Sequence, residues 1–354
     1  MKPFPVLVNF CYNKMKRIKK KSKGFGCELV KIRNVAVIGM GAIGSVYGKF
    51  LYECYGDNFF VIADGTRRQS MEIKGIRLNG ETYYPNIIAP DEVKKRAQLL
   101  LVCVKNYQLD EAIQDMKNFV NSSTMILPLL NGVTATHRLQ AAFPQAHVFY
   151  GVAIGIDAVR NKQGVMYTNS GSIQFGDEKN KLESQAVLAA KRFLLDAGLQ
   201  IQVFEDMKRI LWRKWMLNIG FNQVSALSRA TYGRMLSVPE VWMTMEAAMK
   251  EVLAIARKMQ IDLDEQDIKD FKNILHTMSE GGKTSMLQDV ECSRKTEVEY
   301  FSGTILAYGK RFQVPVPVNT TLYHLIKGLE ASYLLQQDLL AAPESGESAE
   351  RSEG

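Results

Sequence analysis

Three clusters in this 354-residue chain have residue types and spacings that can do chemistry. The first is the apolar run Val35-Ala36-Val37-Ile38 leading into Gly39-Met40-Gly41-Ala42-Ile43-Gly44 and then a helical pattern. A strand, GxGxxG and a helix in that order fit a dinucleotide. Gly39 permits the tight turn, Gly41 lets backbone approach a pyrophosphate, and Gly44 lets the helix pack closely on the strand. The helix N-terminus then offers N–H donors to the phosphates. The flanking strand and helix favour this reading over a purely structural glycine turn. Asp64 ends the next apolar run, 20 residues after Gly44, where an acid would bind ribose hydroxyls. Arg67 and Arg68 follow at once and could bracket a 2′-phosphate instead. They also read as ordinary loop or helix-start charge, so these residues leave NAD and NADP both open.

The second cluster is Lys214, Asn218 and Asn222, spaced i, i+4 and i+8 on one helical face. An ammonium and two carboxamides on one stripe can donate to a carbonyl and hydrogen-bond hydroxyls. The competing reading is a solvated face. Against it, Trp212, Trp215, Met216, Ile219 and Phe221 make this helix apolar around most of its circumference. The third cluster runs from Lys283 to Gly303 and contains Ser285, Gln288, Asp289, Arg294, Thr296 and Glu297. Ser285 reads as a helix N-cap with Gln288 completing a capping box. Glu297 reads as a surface carboxylate paired with Arg294 or Lys295. The four histidines (137, 147, 276 and 324) lie outside all three clusters, so acid–base chemistry there falls to another side chain.

The elements that must position these residues follow from hydrophobic patterning. Val35–Ile38, Phe59–Ala63, Leu99–Val104 and Met125–Leu130 read as buried strands. Helical patterns separate most of them, including Gly44–Tyr55, Asp110–Phe119 and Thr134–Ala142. That alternation predicts βαβ units and a parallel sheet. Residues 147–206 turn strand-rich (147–158, 165–176 and 201–204), with a helix over 184–197. After residue 206 only helices are expected, over 210–227, 239–259, 265–278, 286–308 and 320–340. The second of these has Ser237 and Glu240 at capping-box spacing and Pro239 in the first turn. The fold class is therefore an α/β Rossmann-type domain over 32–206 followed by an all-α domain over 207–335.

The net charge of +8 suggests a nucleic-acid partner until it is located. Residues 1–33 hold ten Lys or Arg against Glu28, and the rest of the chain is near neutral. The basic stretch over 1–31 is expected to be a disordered extension, and the Glu- and Ser-rich tail over 336–354 mostly so. Five cysteines, odd in number and without a CxxC pair, point to a reducing compartment and away from disulfides or zinc. No apolar run reaches the ~18 residues of a membrane span. The expected setting is cytoplasmic, with no metal.

Together these segments resemble the ketopantoate reductase (2-dehydropantoate 2-reductase) family. The resemblance rests on seven motifs in family order: Gly39-Met40-Gly41-Ala42-Ile43-Gly44; Val104-Lys105-Asn106-Tyr107-Gln108; Leu130-Asn131-Gly132; Lys214 with Asn218 and Asn222; Ser285 to Asp289; Arg294-Lys295-Thr296-Glu297; and Val314-Pro315-Val316-Pro317-Val318-Asn319. It covers the chain from Gly39 to about Lys327. The resemblance implies a C-terminal domain like that of 6-phosphogluconate dehydrogenase. It implies NADPH-dependent reduction of 2-dehydropantoate to (R)-pantoate, on the route to pantothenate and coenzyme A. It makes Lys214 the general acid and Glu297 the carboxylate that supports substrate binding and catalysis. Asn218, Asn222, Ser285 and Asn131 become substrate-binding positions. Gly39 to Gly44, Asp64, Arg67, Lys105, Asn131 and Glu297 lie beside the cofactor. The resemblance tips the cofactor toward NADP(H), with NAD(H) still allowed.

This chemistry suits the residues. Hydride addition to C2 of a 2-keto acid builds negative charge on the carbonyl oxygen, which a lysine ammonium can stabilise and then protonate. Glu297 can hold Lys214 and accept from the substrate hydroxyl. Ser285 can bind the substrate carboxylate with its hydroxyl and the helix N–H groups. The active site is expected in the cleft between the two domains, with closure on ligand binding. Expected partners are a small 2-keto acid and at most a second copy in a homodimer, with no nucleic acid or membrane. Three alternatives stay open: a paralogue acting on another 2-keto acid, a non-catalytic dinucleotide sensor, and a nucleic-acid or membrane-binding role for the basic N-terminus.

Overall fold

A computed structural model of the protein describes residues 32–92 and 95–341. The basic extension and the end of the tail lie outside these residues. The chain divides into two compact units between Trp215 and Met216.

The first unit is built on a six-stranded sheet. Its chain order is β1 (Val35–Ile38), α1 (Ala42–Tyr55), β2 (Phe59–Ile62), α2 (Gly65–Lys74), β3 (Ile76–Leu78), β4 (Glu81–Tyr83), β5 (Asn86–Ile88), β6 (Leu99–Val102), α3 (Leu109–Met116), β7 (Met125–Pro128), α4 (Ala135–Ala142) and β8 (His147–Val148). The main sheet has the order β5-β2-β1-β6-β7-β8, and every pair in it is parallel. Parallel strands are usually covered on both faces, and alternate residues here divide cleanly between two cores. Val35, Val37, Phe59, Val61, Leu99 and Leu101 pack with Val46, Tyr47 and Leu51 of α1. Ala36, Ile38, Phe60, Ile62, Leu100 and Val102 pack with Leu109, Ala112 and Met116 of α3 and Leu139 of α4.

The strand-rich stretch completes the unit with β9 (Tyr150–Ile156), β10 (Val159–Asn161), β11 (Gly164–Met166), β12 (Ser170–Gly176), α5 (Gln185–Asp196) and β13 (Ile201–Gln202). It does not form one extension. Strands β13, β12 and β9 form one small sheet, while β10 and β11 join β3 and β4 in another. The short β3–β4 hairpin has no long apolar run, so periodicity did not reveal it.

The helical region contains α6 (Met207–Ser228), α7 (Tyr232–Ser237), α8 (Pro239–Lys258), α9 (Glu265–Leu275), α10 (Ser285–Glu291), α11 (Ser302–Phe312) and α12 (Pro317–Ala341). Two details differ from expectation. The cap position of α8 is Val238, with Pro239 first in the helix; Ser237 ends α7 and caps nothing. The continuous helix expected over 286–308 is broken. Ser293 takes a left-handed φ of 50°, Ser293 N–H returns to Val290 O and Arg294 N–H returns to Asp289 O. These are the two bonds of a Schellman stop, made without the glycine that usually signals one. Among the described residues, no helix is long and apolar enough to cross a membrane.

One buried polar network ties four helices of the second unit together. Asn319 Oδ1 accepts from Gln223 Nε2 at 3.3 Å and from Ser302 Oγ at 3.0 Å. Asn319 Nδ2 donates to Glu251 Oε2 at 2.7 Å and to Ala248 O. Gln223, Ser302 and Asn319 are each fully buried. Asn319→Ala strands several of these groups at once, and we expect it to lower stability by about 2–4 kcal/mol. Chemical denaturation followed by far-ultraviolet circular dichroism measures that loss.

Candidate active site

At the carboxyl end of the main sheet, order reverses between β1 and β6, which opens the crevice where α/β sheets bind ligands. Gly39 has φ of 93°, and a Cβ there would meet the backbone nitrogen of Val104 at 2.6 Å. A Cβ on Gly44 would lie 2.0 Å from Gly39 O. Both positions accept only glycine. A Cβ on Gly41 would meet nothing within 4 Å, so that side of the turn is open for a ligand. Gly41 is also the N-cap of α1, with no side-chain cap and no acid in the first turn. An open backbone approach and an uncapped helix end fit a dinucleotide pyrophosphate. Met40 O is held by Ser45 Oγ and by Arg160 Nη1 of β10 at 2.6 Å. Sequence reasoning missed Arg160, because nothing local links it to a turn 120 residues away.

Asp64 lies just beyond β2 as the N-cap of α2 and accepts from Gly65 N–H at 2.7 Å. Arg67 forms a loose, exposed pair with Glu111 at 3.4 Å. Arg68 is held at 2.8 Å by both Glu72 and Glu92, so it is committed within the protein. Lys105 and Asn131 lie beyond the ends of β6 and β7, and Asn106 Nδ2 donates to Asn131 O at 2.7 Å. The buried Asn106 therefore links the two loops.

Helix α6 carries Lys214, Asn218 and Asn222 on three successive turns. Lys214 is partly buried, and burial draws its pKa from 10.5 down to about 8. Asn218 and Asn222 are 3% and 5% exposed, which removes the solvated-face reading for them. Asn222 Nδ2 donates to Asn218 Oδ1 at 3.1 Å. Asn222 Oδ1 accepts from Ser285 Oγ and from Met286 N–H, both at 3.1 Å. The structure thus brings Asn218, Asn222 and Ser285 into one chain of hydrogen bonds.

Ser285 is not the cap of α10. Thr284 is, accepting from Leu287 N–H at 3.2 Å and meeting Ser225 Oγ at 2.7 Å. Both residues of the Thr284-Ser285 pair have cap chemistry; Thr284 meets Ser225 and caps the helix, while Ser285 Oγ is turned to Asn222. Ser285 is exposed at the first helical position, and the Met286 and Leu287 N–H groups already have acceptors. Glu297 is 4% exposed, so it is not a surface carboxylate. Arg294 pairs instead with Asp289, Nε to Oδ1 at 3.0 Å.

Residues 35–180 match the family described as Ketopantoate reductase PanE/ApbA, and residues 206–330 match Ketopantoate reductase PanE/ApbA C terminal. The chain is 24% identical over 302 residues to the 2-dehydropantoate 2-reductase of Archaeoglobus fulgidus, covering 85% of this chain and 99% of that one. The solved 2-dehydropantoate 2-reductase from Methylococcus capsulatus is similar with a TM-score of 0.72 and 27% identity, covering 85% and 97%. A D-mandelate dehydrogenase solved with NADH and anilino(oxo)acetate reaches a TM-score of 0.75 at 22% identity, over 85% and 99%, a likeness of fold.

The glycine geometry separates folding from binding. Gly41→Ala is expected to leave the melting temperature nearly unchanged while weakening dinucleotide binding about tenfold or more, because the new methyl occupies the approach to the pyrophosphate. Gly39→Ala is expected to destabilise the fold itself. Thermal melts and fluorescence titration with NADPH and NADH test both.

Proposed function

The chain belongs to the ketopantoate reductase family, and on that premise we propose that it reduces 2-dehydropantoate to (R)-pantoate with NADPH, on the route to pantothenate and coenzyme A. The observation that carries this reading is the stripe on α6 that sets Lys214 in line with the buried Asn218 and Asn222, where burial also lowers the lysine pKa to about 8. The Gly39 to Gly44 turn would hold the nicotinamide nucleotide, which when bound would supply the hydride for the C2 carbonyl.

Lys214 meets the charge that develops on the carbonyl oxygen and delivers the proton. A pKa near the working pH suits a general acid, which must be protonated yet release its proton readily. Asn218, Asn222 and the Ser285 hydroxyl hold the polar groups of the substrate. Their mutual hydrogen bonds fix the side chains before substrate arrives, which lowers the entropy cost of binding. Glu297 accepts from the substrate hydroxyl. Lys105 and Asn131, on the linked loops after β6 and β7, flank the cofactor.

The cofactor choice rests on Asp64 and Arg67. Among the described residues Arg67 is held by an exposed ion pair, worth about 0–1 kcal/mol, so it can exchange Glu111 for a 2′-phosphate. The Asp64 carboxylate has Gly65 N–H as a local partner, which softens its charge toward that phosphate. A preference for NADH would instead assign Asp64 to the ribose hydroxyls.

Reduction requires protonated Lys214, so its rate is expected to be flat below about pH 8 and to fall tenfold per unit above it. Oxidation of pantoate requires the neutral amine and should rise through the same pH. Lys214→Ala is expected to lower kcat by about 10²–10⁴-fold. NAD(P)H oxidation by the purified protein with 2-dehydropantoate, run against other 2-keto acids and with both cofactors, is the test. Wild-type turnover by Lys214→Ala, or faster turnover of another 2-keto acid, overturns the assignment.

A further inference from the structure

Glu297 sits in the irregular segment between α10 and α11, and a backbone of that kind does not by itself hold a side chain still. The segment is pinned from one face of α12. Tyr323, Lys327, Glu330 and Tyr333 are spaced i, i+4, i+7 and i+10 along that helix, so they line one side. Glu330 Oε1 accepts from both Thr296 N–H and Thr296 Oγ, each at 2.7 Å. Its other oxygen, Oε2, takes Lys327 Nζ at 3.1 Å. Lys327 also reaches Glu299 Oε1 at 3.1 Å, and the Tyr323 hydroxyl donates to Glu299 at 2.9 Å. Tyr333 donates to Val290 O at 3.2 Å. Residues 296 and 299 are therefore fixed on either side of the catalytic candidate, and Thr296 is 1% exposed.

This arrangement is more than helix packing. Both donors of Thr296 converge on one carboxylate oxygen, and charge-assisted bonds of this kind are the stronger sort. Lys327 bridges that carboxylate to Glu299: despite burial, which opposes it, the bonds to Glu299 and Glu330 raise the lysine above its ordinary range. On the other side the Arg294–Asp289 pair closes the Schellman stop. Thr296 Oγ in turn accepts from Val298 N–H at 3.3 Å, and Glu297 O accepts from Tyr300 N–H at 2.9 Å. The backbone on both sides of Glu297 thus has fixed partners.

We propose that Glu330, with Lys327 and Tyr323, is a positioning residue that sets the Glu297 carboxylate through Thr296. The inference rests on the reading of Glu297 as part of the reductase site. The Glu330 carboxylate is engaged by Thr296 and Lys327, and its effect passes through one residue of backbone.

The test compares wild type with Glu330→Ala, Glu330→Gln, Glu297→Gln and the Glu330→Ala/Glu297→Gln pair, using 2-dehydropantoate and NADPH. Misplacement by about 1 Å costs up to about 10²-fold, so Glu330→Ala is expected to lower kcat by about 10–100-fold. Glutamine keeps the acceptor for Thr296, so Glu330→Gln is expected to stay within about threefold of wild type. In the Glu297→Gln background Glu330→Ala should add less than about twofold, because coupled residues are not additive. Unchanged kcat in Glu330→Ala, equal losses in the two Glu330 variants, or full multiplication with Glu297→Gln overturns the inference. Lys327→Met serves if Glu330→Ala does not fold, with a loss of kcat expected and wild-type kcat counting against.

A substrate-free arm keeps the two readings apart. The carbon-13 carboxyl resonance of Glu297, assigned with Glu297→Gln, is expected to move in Glu330→Ala and to hold in Glu330→Gln. No movement overturns the positioning role whatever the substrate. A wild type inert toward 2-dehydropantoate with both cofactors overturns the proposed substrate alone.

Discussion

A buried amide must find partners for its donors and its acceptor, and that requirement fixes the helical unit. Two adjacent side chains on α6 show it. Asn222 accepts from Ser285 and Met286 and so holds the start of α10. Gln223 donates to Asn319 of α12 and accepts from Ser302 N–H of α11. One dipeptide therefore sets the places of three helices. An unpartnered amide in such a core costs about 1–3 kcal/mol, so the alternatives are excluded by energy as well as by shape.

The Rossmann unit meets a different constraint. Its strands are buried on both faces, so polar groups are pushed to the strand ends, where the backbone leaves the sheet. Chemistry collects there for the same reason that the middle of the sheet is inert. Val104 backbone forbids a side chain at Gly39, Gly39 O forbids one at Gly44, and Gly41 faces open space. Selection for packing and selection for ligand access thus act on different glycines of one motif.

Lys214 is where stability and activity pull apart. Burial lowers its pKa from 10.5 to about 8, so between those values the unfolded chain binds more protons than the folded one. Stability contributed by this group therefore rises with pH across that window, and the desolvation penalty is present in full below about pH 8. A structural lysine at this place would be a defect. Under the proposed mechanism the general acid needs this depression, and the fold carries the cost.

The sequence by itself determined the class of the fold and the identity of most candidate residues. Strand–GxGxxG–helix, the alternation of βαβ units and the i, i+4, i+8 stripe on α6 are all local patterns. They are legible because backbone geometry repeats at fixed periods. What only the tertiary structure decided are the relations between distant segments. These include Thr284 rather than Ser285 as the cap, the break at Ser293 within an expected helix, and the burial of Glu297. They also include the grip of Arg160 on Met40 O and of Glu330 on Thr296. Each depends on a partner far along the chain. A periodic pattern records which face is apolar, but not which polar group will be waiting on the other side.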